Sequence, residues 1–81
     1  MKVLFFALLR ERLGCAELVL EQNEPTTVAK VLEQLKSRSQ EWRNTLDNQE
    51  LLAAVNQSFV DFDATVQKGD ELAFFPPVTG G

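Results

Sequence analysis

Val28, Val31, Leu32 and Leu35 fall at i, i+3, i+4 and i+7, a strong helical stripe in a chain otherwise dominated by strand-like segments. One such helix can cover only one face of a sheet. The remaining segments must therefore build a sheet whose second face is either polar or meets another molecule. That single restriction points to an α+β domain in which a mixed sheet of about five strands packs on one main helix.

The length agrees with one domain. Eighty-one residues are too few for two hydrophobic cores. With 44% apolar and 25% charged residues, the chain has the balance of a globular protein rather than a disordered one.

The segments around the stripe follow from their periodicity. "KVLFFALL" (residues 2–9) is β-rich and almost wholly apolar, so it reads as a central strand covered on both faces. Gly14 permits a turn, and "ELVLE" (17–21) alternates polar with apolar residues and returns as a second, antiparallel strand. Thr26 or Thr27 supplies the hydroxyl that caps the helix, and Lys36 and Arg38 place cations near its end. "EWRNTL" (41–46) reads as a shorter helix with Trp42 and Leu46 on one side. "LLAAVNQSFVDF" (51–62) forms two strands about a turn at Asn56-Gln57, and "QKGDELAFF" (67–75) turns at Gly69 into a last apolar strand.

Strand parity sorts the side chains. Val3, Phe5, Ala7 and Leu9 share one side of the opening strand, opposite Leu4, Phe6 and Leu8; in the last strand Leu72 and Phe74 oppose Ala73 and Phe75. Six phenylalanines exceed what one helix-facing core requires. Phe6, Phe59 and Phe75 are assigned to the open face as a docking patch, or else all three complete a compact core; parity alone does not choose.

The composition excludes several functions. A net charge of −4, with eight basic residues scattered among twelve acidic ones, does not suit a nucleic-acid ligand. The apolar run at the start has seven residues where a membrane span needs roughly 20, and it lacks the small residues of a signal cleavage site. No membrane partner is expected. A single cysteine, Cys15, fits a reducing compartment, so a cytoplasmic protein is expected. No histidine is present to activate that thiol, which reads as a small residue beside a turn. Asp61, Asp63, Asp70 and Glu71 gather near a turn, but their spacing is not that of a calcium loop. No metal is expected; a solvated acidic rim facing a basic partner is.

The chain divides into a body, residues 1–75, and an extended, flexible tail, residues 76–81, of sequence "PPVTGG". Pro76 and Pro77 remove two backbone donors and end sheet pairing. Beyond them Val78, Thr79, Gly80 and Gly81 could reach on the order of 13 Å. Gly80 and Gly81 carry no side chains, so the last acyl carbon could pass through a channel too narrow for other residues. Either such an end simply frays, or its α-carboxylate is the chemical handle. A carboxylate becomes electrophilic once activated, for instance as a mixed anhydride with AMP, and a sulfur nucleophile can then leave a thiocarboxylate.

"LLAAVNQSFV", "KGDELAFFPPVTGG" and the opening "VLFFALLRERLG" together resemble the small, ubiquitin-like subunit of molybdopterin synthase over essentially the whole chain. The resemblance implies a β-grasp fold. It implies that Gly81 is adenylated by an ATP-dependent activating enzyme and converted, with sulfur from a donor protein, to a thiocarboxylate. Pro77, Val78, Thr79, Gly80 and Gly81 would then insert into the large synthase subunit, where the sulfur passes to cyclic pyranopterin monophosphate. Catalytic side chains would belong to that large subunit, in an assembly of two small and two large chains. No cofactor is bound by the chain itself; its cargo is the covalent sulfur on Gly81. Phe6, Phe59 and Phe75 match apolar contact positions of that interface, which favours the docking patch over the compact core. Three other readings remain: a sulfur carrier for thiamine, cysteine or tungsten-cofactor synthesis, a protein modifier joined to lysines through Gly81, and a plain interaction module with an inert tail.

Overall fold

The computed structural model describes residues 1–77. Its elements run β1 (Lys2–Phe5), α1 (Ala7–Leu13), β2 (Glu17–Val19), β3 (Thr26–Thr27), α2 (Val28–Lys36), α3 (Gln40–Asp47), β4 (Leu52–Val55), β5 (Ser58–Val60), β6 (Thr65–Val66) and β7 (Glu71–Phe75). Five strands form one mixed sheet in the order β2-β1-β7-β4-β5, and β3 and β6 pair separately. The central strand β7 is parallel to β1 and antiparallel to β4; the other neighbours in the sheet are antiparallel.

The helical stripe does what its spacing requires. Val28, Val31 and Leu35 of α2 are completely buried and Leu32 nearly so. They meet the sheet residues Val3, Phe5, Leu72 and Phe74, which are also buried. Each such side chain contributes roughly 1.5–3 kcal/mol by leaving water. Thr27, rather than Thr26, is the N-cap: its hydroxyl accepts from the Lys30 amide at 3.2 Å. Lys36 in the last turn reaches Asp47 at 2.7 Å and ties α2 to α3. The shorter helix begins at a second hydroxyl cap, Ser39, and packs Leu46 and Trp42 inward; the Trp42 ring meets Phe5 edge-on at 5.5 Å.

The opening run departs from expectation. It is not one strand over residues 2–9: β1 stops at Phe5, and Ala7–Leu13 is helical. Ala7 has φ +56°, outside the extended region, so the chain turns abruptly there. Leu9 is still buried, as parity demanded, but from a helix; Ala7 is exposed. The helix ends at Gly14, whose left-handed φ of +65° lets its amide reach the Glu11 carbonyl at 3.3 Å. An apolar run serves a buried strand or a buried helix equally well, and periodicity does not separate them.

The hairpin formed by β4 and β5 turns on Asn56 and Gln57, with φ of +49° and +72°. Two successive left-handed residues match the right-handed twist of the strands. Asn56 suits the position and is also held in place: its side chain donates to Asp70 at 3.2 Å and accepts from the Glu71 amide at 3.1 Å.

Candidate functional site

The strand register sets out the sheet face opposite the helices. Leu4 pairs with Ala73, Ala73 with Ala54, and Ala54 with Phe59, so these four side chains form one row across four strands. Phe75 and Leu52 are paired beside them in a second row. Two alanines in the middle leave a shallow saddle between Leu4 and Phe59. Among the described residues no helix covers this face. Phe59 is 78% exposed and Leu52 38% exposed, while Phe75 is half-buried against Phe59 with ring centroids 5.6 Å apart. Toward β2 and the start of β7 the same face mixes the charged Lys2, Glu17 and Glu71 with the exposed Val19, and Lys2 and Glu17 approach to 3.6 Å.

Phe59 and Phe75 thus share the open face, a choice that parity alone left undecided. Phe6 is not in a strand. It caps the N-terminus of α1, is half-exposed, and lies just past the Phe5–Phe74 pairing, next in line to Phe75 at the same end of the sheet. Leu4 and Ala73 lie on this face on the sides that parity gave them, and Leu52 and Ala54 complete it although sequence reasoning did not select those two.

Phe75 leads directly to Pro76 and Pro77, which are partly buried and outside regular structure. Because β7 is bonded on both sides, the root of the tail is fixed between Phe5 and Leu52 rather than at a loose edge. Val78, Thr79, Gly80 and Gly81 lie outside the described residues.

The other candidate groups fall elsewhere. Asp70 accepts from Asn56 and from the Gln67 amide at 2.9 Å, so it braces two turns. Asp61 and Asp63 are exposed beside β5. Among the described residues, no three His, Cys, Asp or Glu side chains are grouped to hold a metal ion. The half-buried Cys15 thiol donates to the Glu17 carbonyl at 3.3 Å. Among the described residues no helix is long and apolar enough to cross a membrane.

Comparison with known proteins places this geometry. The ThiS family model matches residues 3–81. The molybdopterin synthase sulfur carrier subunit of Escherichia coli (strain K12) is 46% identical over 80 residues, covering 99% of this chain and 98% of that protein. A solved structure from Pyrococcus furiosus, described as a molybdopterin converting factor subunit 1, superposes with a TM-score of 0.78 at 28% identity, covering 95% of each chain. A Helicobacter pylori complex of subunits 1 and 2 of molybdopterin-converting factor shares the fold, with a TM-score of 0.68 at 21% identity over 99% of this chain and 96% of that one. With its open sheet face, its helix-gripping sheet and a family match over nearly all its length, the chain belongs to the ThiS family of ubiquitin-like β-grasp proteins, alongside the sulfur carrier subunits of molybdopterin synthase.

Proposed function

We propose that this chain is the sulfur-carrying small subunit of a molybdopterin synthase. The observation that carries the reading is the 46% identity, over 99% of the chain, to the Escherichia coli sulfur carrier subunit. The structure supports it with a rigid central strand that delivers the tail beside an uncovered apolar face.

The Gly81 carboxylate attacks the α-phosphorus of ATP on an activating enzyme, forming an acyl adenylate and releasing pyrophosphate. A hydrosulfide-level sulfur from a donor protein attacks the acyl carbon, AMP leaves, and a thiocarboxylate remains. The tail, Pro77 to Gly81, then threads into the large subunit. There the thiocarboxylate sulfur attacks a side-chain carbon of cyclic pyranopterin monophosphate and displaces an oxygen substituent from it; water then cleaves the acyl–sulfur bond, leaving the sulfur on the pterin and returning the carboxylate for another cycle. The large subunit supplies the catalytic side chains; this chain is a cosubstrate, not an enzyme by itself, and works in the cytoplasm. Phe6, Phe59 and Phe75 dock it so that the acyl carbon arrives in register, because a 1 Å error in a reacting atom can cost on the order of 10²-fold in rate.

Intact-mass measurement after incubation with the activating enzyme, ATP and a sulfur donor tests the loading step. A mass gain equal to one sulfur replacing one oxygen is expected, with the gain lost on adding large subunit and pterin precursor as dithiolene product forms. An unchanged mass would defeat the proposal, and lysine adducts on other proteins would assign the chain to the modifiers instead.

A further inference from the structure

The apolar face continues around the free edge of the sheet into a groove of about 640 Å³. Leu52, Ala53, Phe59, Val60 and Ala64 line it with apolar groups, and Asp61 and Asp63 add two carboxylates to the same lining. β5 is the outermost strand, so nothing packs beyond it in the sheet.

Among the described residues the cations are committed elsewhere or lie apart from the groove. Lys2 pairs with Glu17, Lys36 with Asp47, and Arg43 with Glu33, while Arg38 lies over the Trp42 ring at 4.8 Å. No Lys or Arg lines the groove. Asp61 and Asp63 have no ion-pair partner among the described residues. An apolar groove whose lining also carries two exposed carboxylates complements one kind of side chain: a long aliphatic stem that carries a positive head.

We infer that this groove is the seat of an arginine or lysine presented by the large subunit that receives the tail. The inference rests on the sulfur-carrier reading above and adds to it a charged anchor at the edge of the docking face. The stem packs on Leu52 and the Phe59 ring, and a guanidinium stacked on that ring gains a cation–π contribution. The head meets the exposed carboxylates of Asp61 and Asp63, and charge-assisted hydrogen bonds of this kind are stronger than neutral ones. Position favours the large subunit as occupant. Leu52 is the strand neighbour of Phe75, and Phe59 touches Phe75, so the groove borders the root of the tail. A side chain seated here sets the angle at which the tail leaves, as well as adding affinity.

Calorimetric titration of the large subunit with the full-length chain, repeated over a range of salt concentrations, tests this. The variant carries Asp61→Asn and Asp63→Asn, and a charge-matched control carries Glu21→Gln and Glu24→Gln on exposed positions after β2. The expected result is binding weakened on the order of 10-fold for the groove variant at low salt, with a flattened salt dependence. The control should bind like the unaltered chain, and all three should melt alike. Equal weakening of variant and control would overturn the groove as a site, because the effect would then follow net charge alone. Unchanged affinity of the groove variant would overturn it outright. Weakening toward the activating enzyme but not the large subunit would overturn the assigned occupant. Sulfur loading of the unaltered chain, read by mass, separates failure of the groove from failure of the sulfur-carrier reading.

Discussion

Phe5 and Phe74 lie directly across the parallel pairing of β1 with β7, both at 1% exposure or less, with ring centroids 6.4 Å apart and planes 18° apart. Phe62 meets Phe74 from the side at 6.3 Å and Trp42 meets Phe5, so two partly buried rings flank the buried pair. Phe74→Ala should therefore cost about 3–5 kcal/mol, a large share of the roughly 5–15 kcal/mol that holds a small domain together. Urea unfolding followed by Trp42 fluorescence would measure it; a loss below about 1 kcal/mol would contradict the packing described.

Phe59 gives the opposite expectation, although it too is a phenylalanine in a strand. At 78% exposure its removal withdraws little from the core, so Phe59→Ala should change stability by no more than about 0.5 kcal/mol. Affinity for the large subunit should fall by about 10-fold or more, as for an aromatic anchor at an interface. Paired melting and titration measurements separate the two effects, and a destabilised variant with intact binding would place Phe59 in the core instead.

Thr27→Ala removes the acceptor for the Lys30 amide at the start of α2. A loss of about 1 kcal/mol is expected from the denaturation midpoint, with Thr27→Ser retaining most of it.

Gln57 occupies a left-handed position without the local hydrogen bonds that Asn56 makes. Gln57→Gly should stabilise the hairpin by roughly 0.5–1 kcal/mol, since glycine adopts that conformation without steric cost. A falling melting temperature would mean that the turn geometry differs from the one described.

Deleting Gly81, or extending the chain beyond it, should reduce synthase turnover by on the order of 10²-fold or more while leaving the melting temperature unchanged. Sulfur delivery at the normal rate from either variant would remove the carboxylate from the mechanism.

Much of this architecture is written locally. The α2 stripe, the Thr27 cap, the Asn56-Gln57 turn and the alternation in "ELAFF" each have a short-range cause, and each forms as its residues dictate. The break after Phe5 has none. "FFALL" satisfies strand and helix alike, and what decides is that Leu9 reaches the core from a helix while Ala7 takes a positive φ. The same junction explains Phe6, which parity placed on the sheet and the fold places at a helix start. Leu52 and Ala54 were invisible as face residues for a different reason: they acquire their neighbours Phe75, Ala73 and Phe59 only through pairings between distant segments.

The bond between residues 2–5 and residues 71–75 also has a consequence for biosynthesis. Residues 2–5 must wait for residues 71–75 before the middle of the sheet exists, and such long-range closure is slow and late. A polypeptide cut short before β7 lacks the central strand, so neither β1 nor β4 finds its inner neighbour. Closure of the sheet thus reports that residues up to 75 are in place, and a chain stopped earlier exposes its unpaired strands to degradation or aggregation.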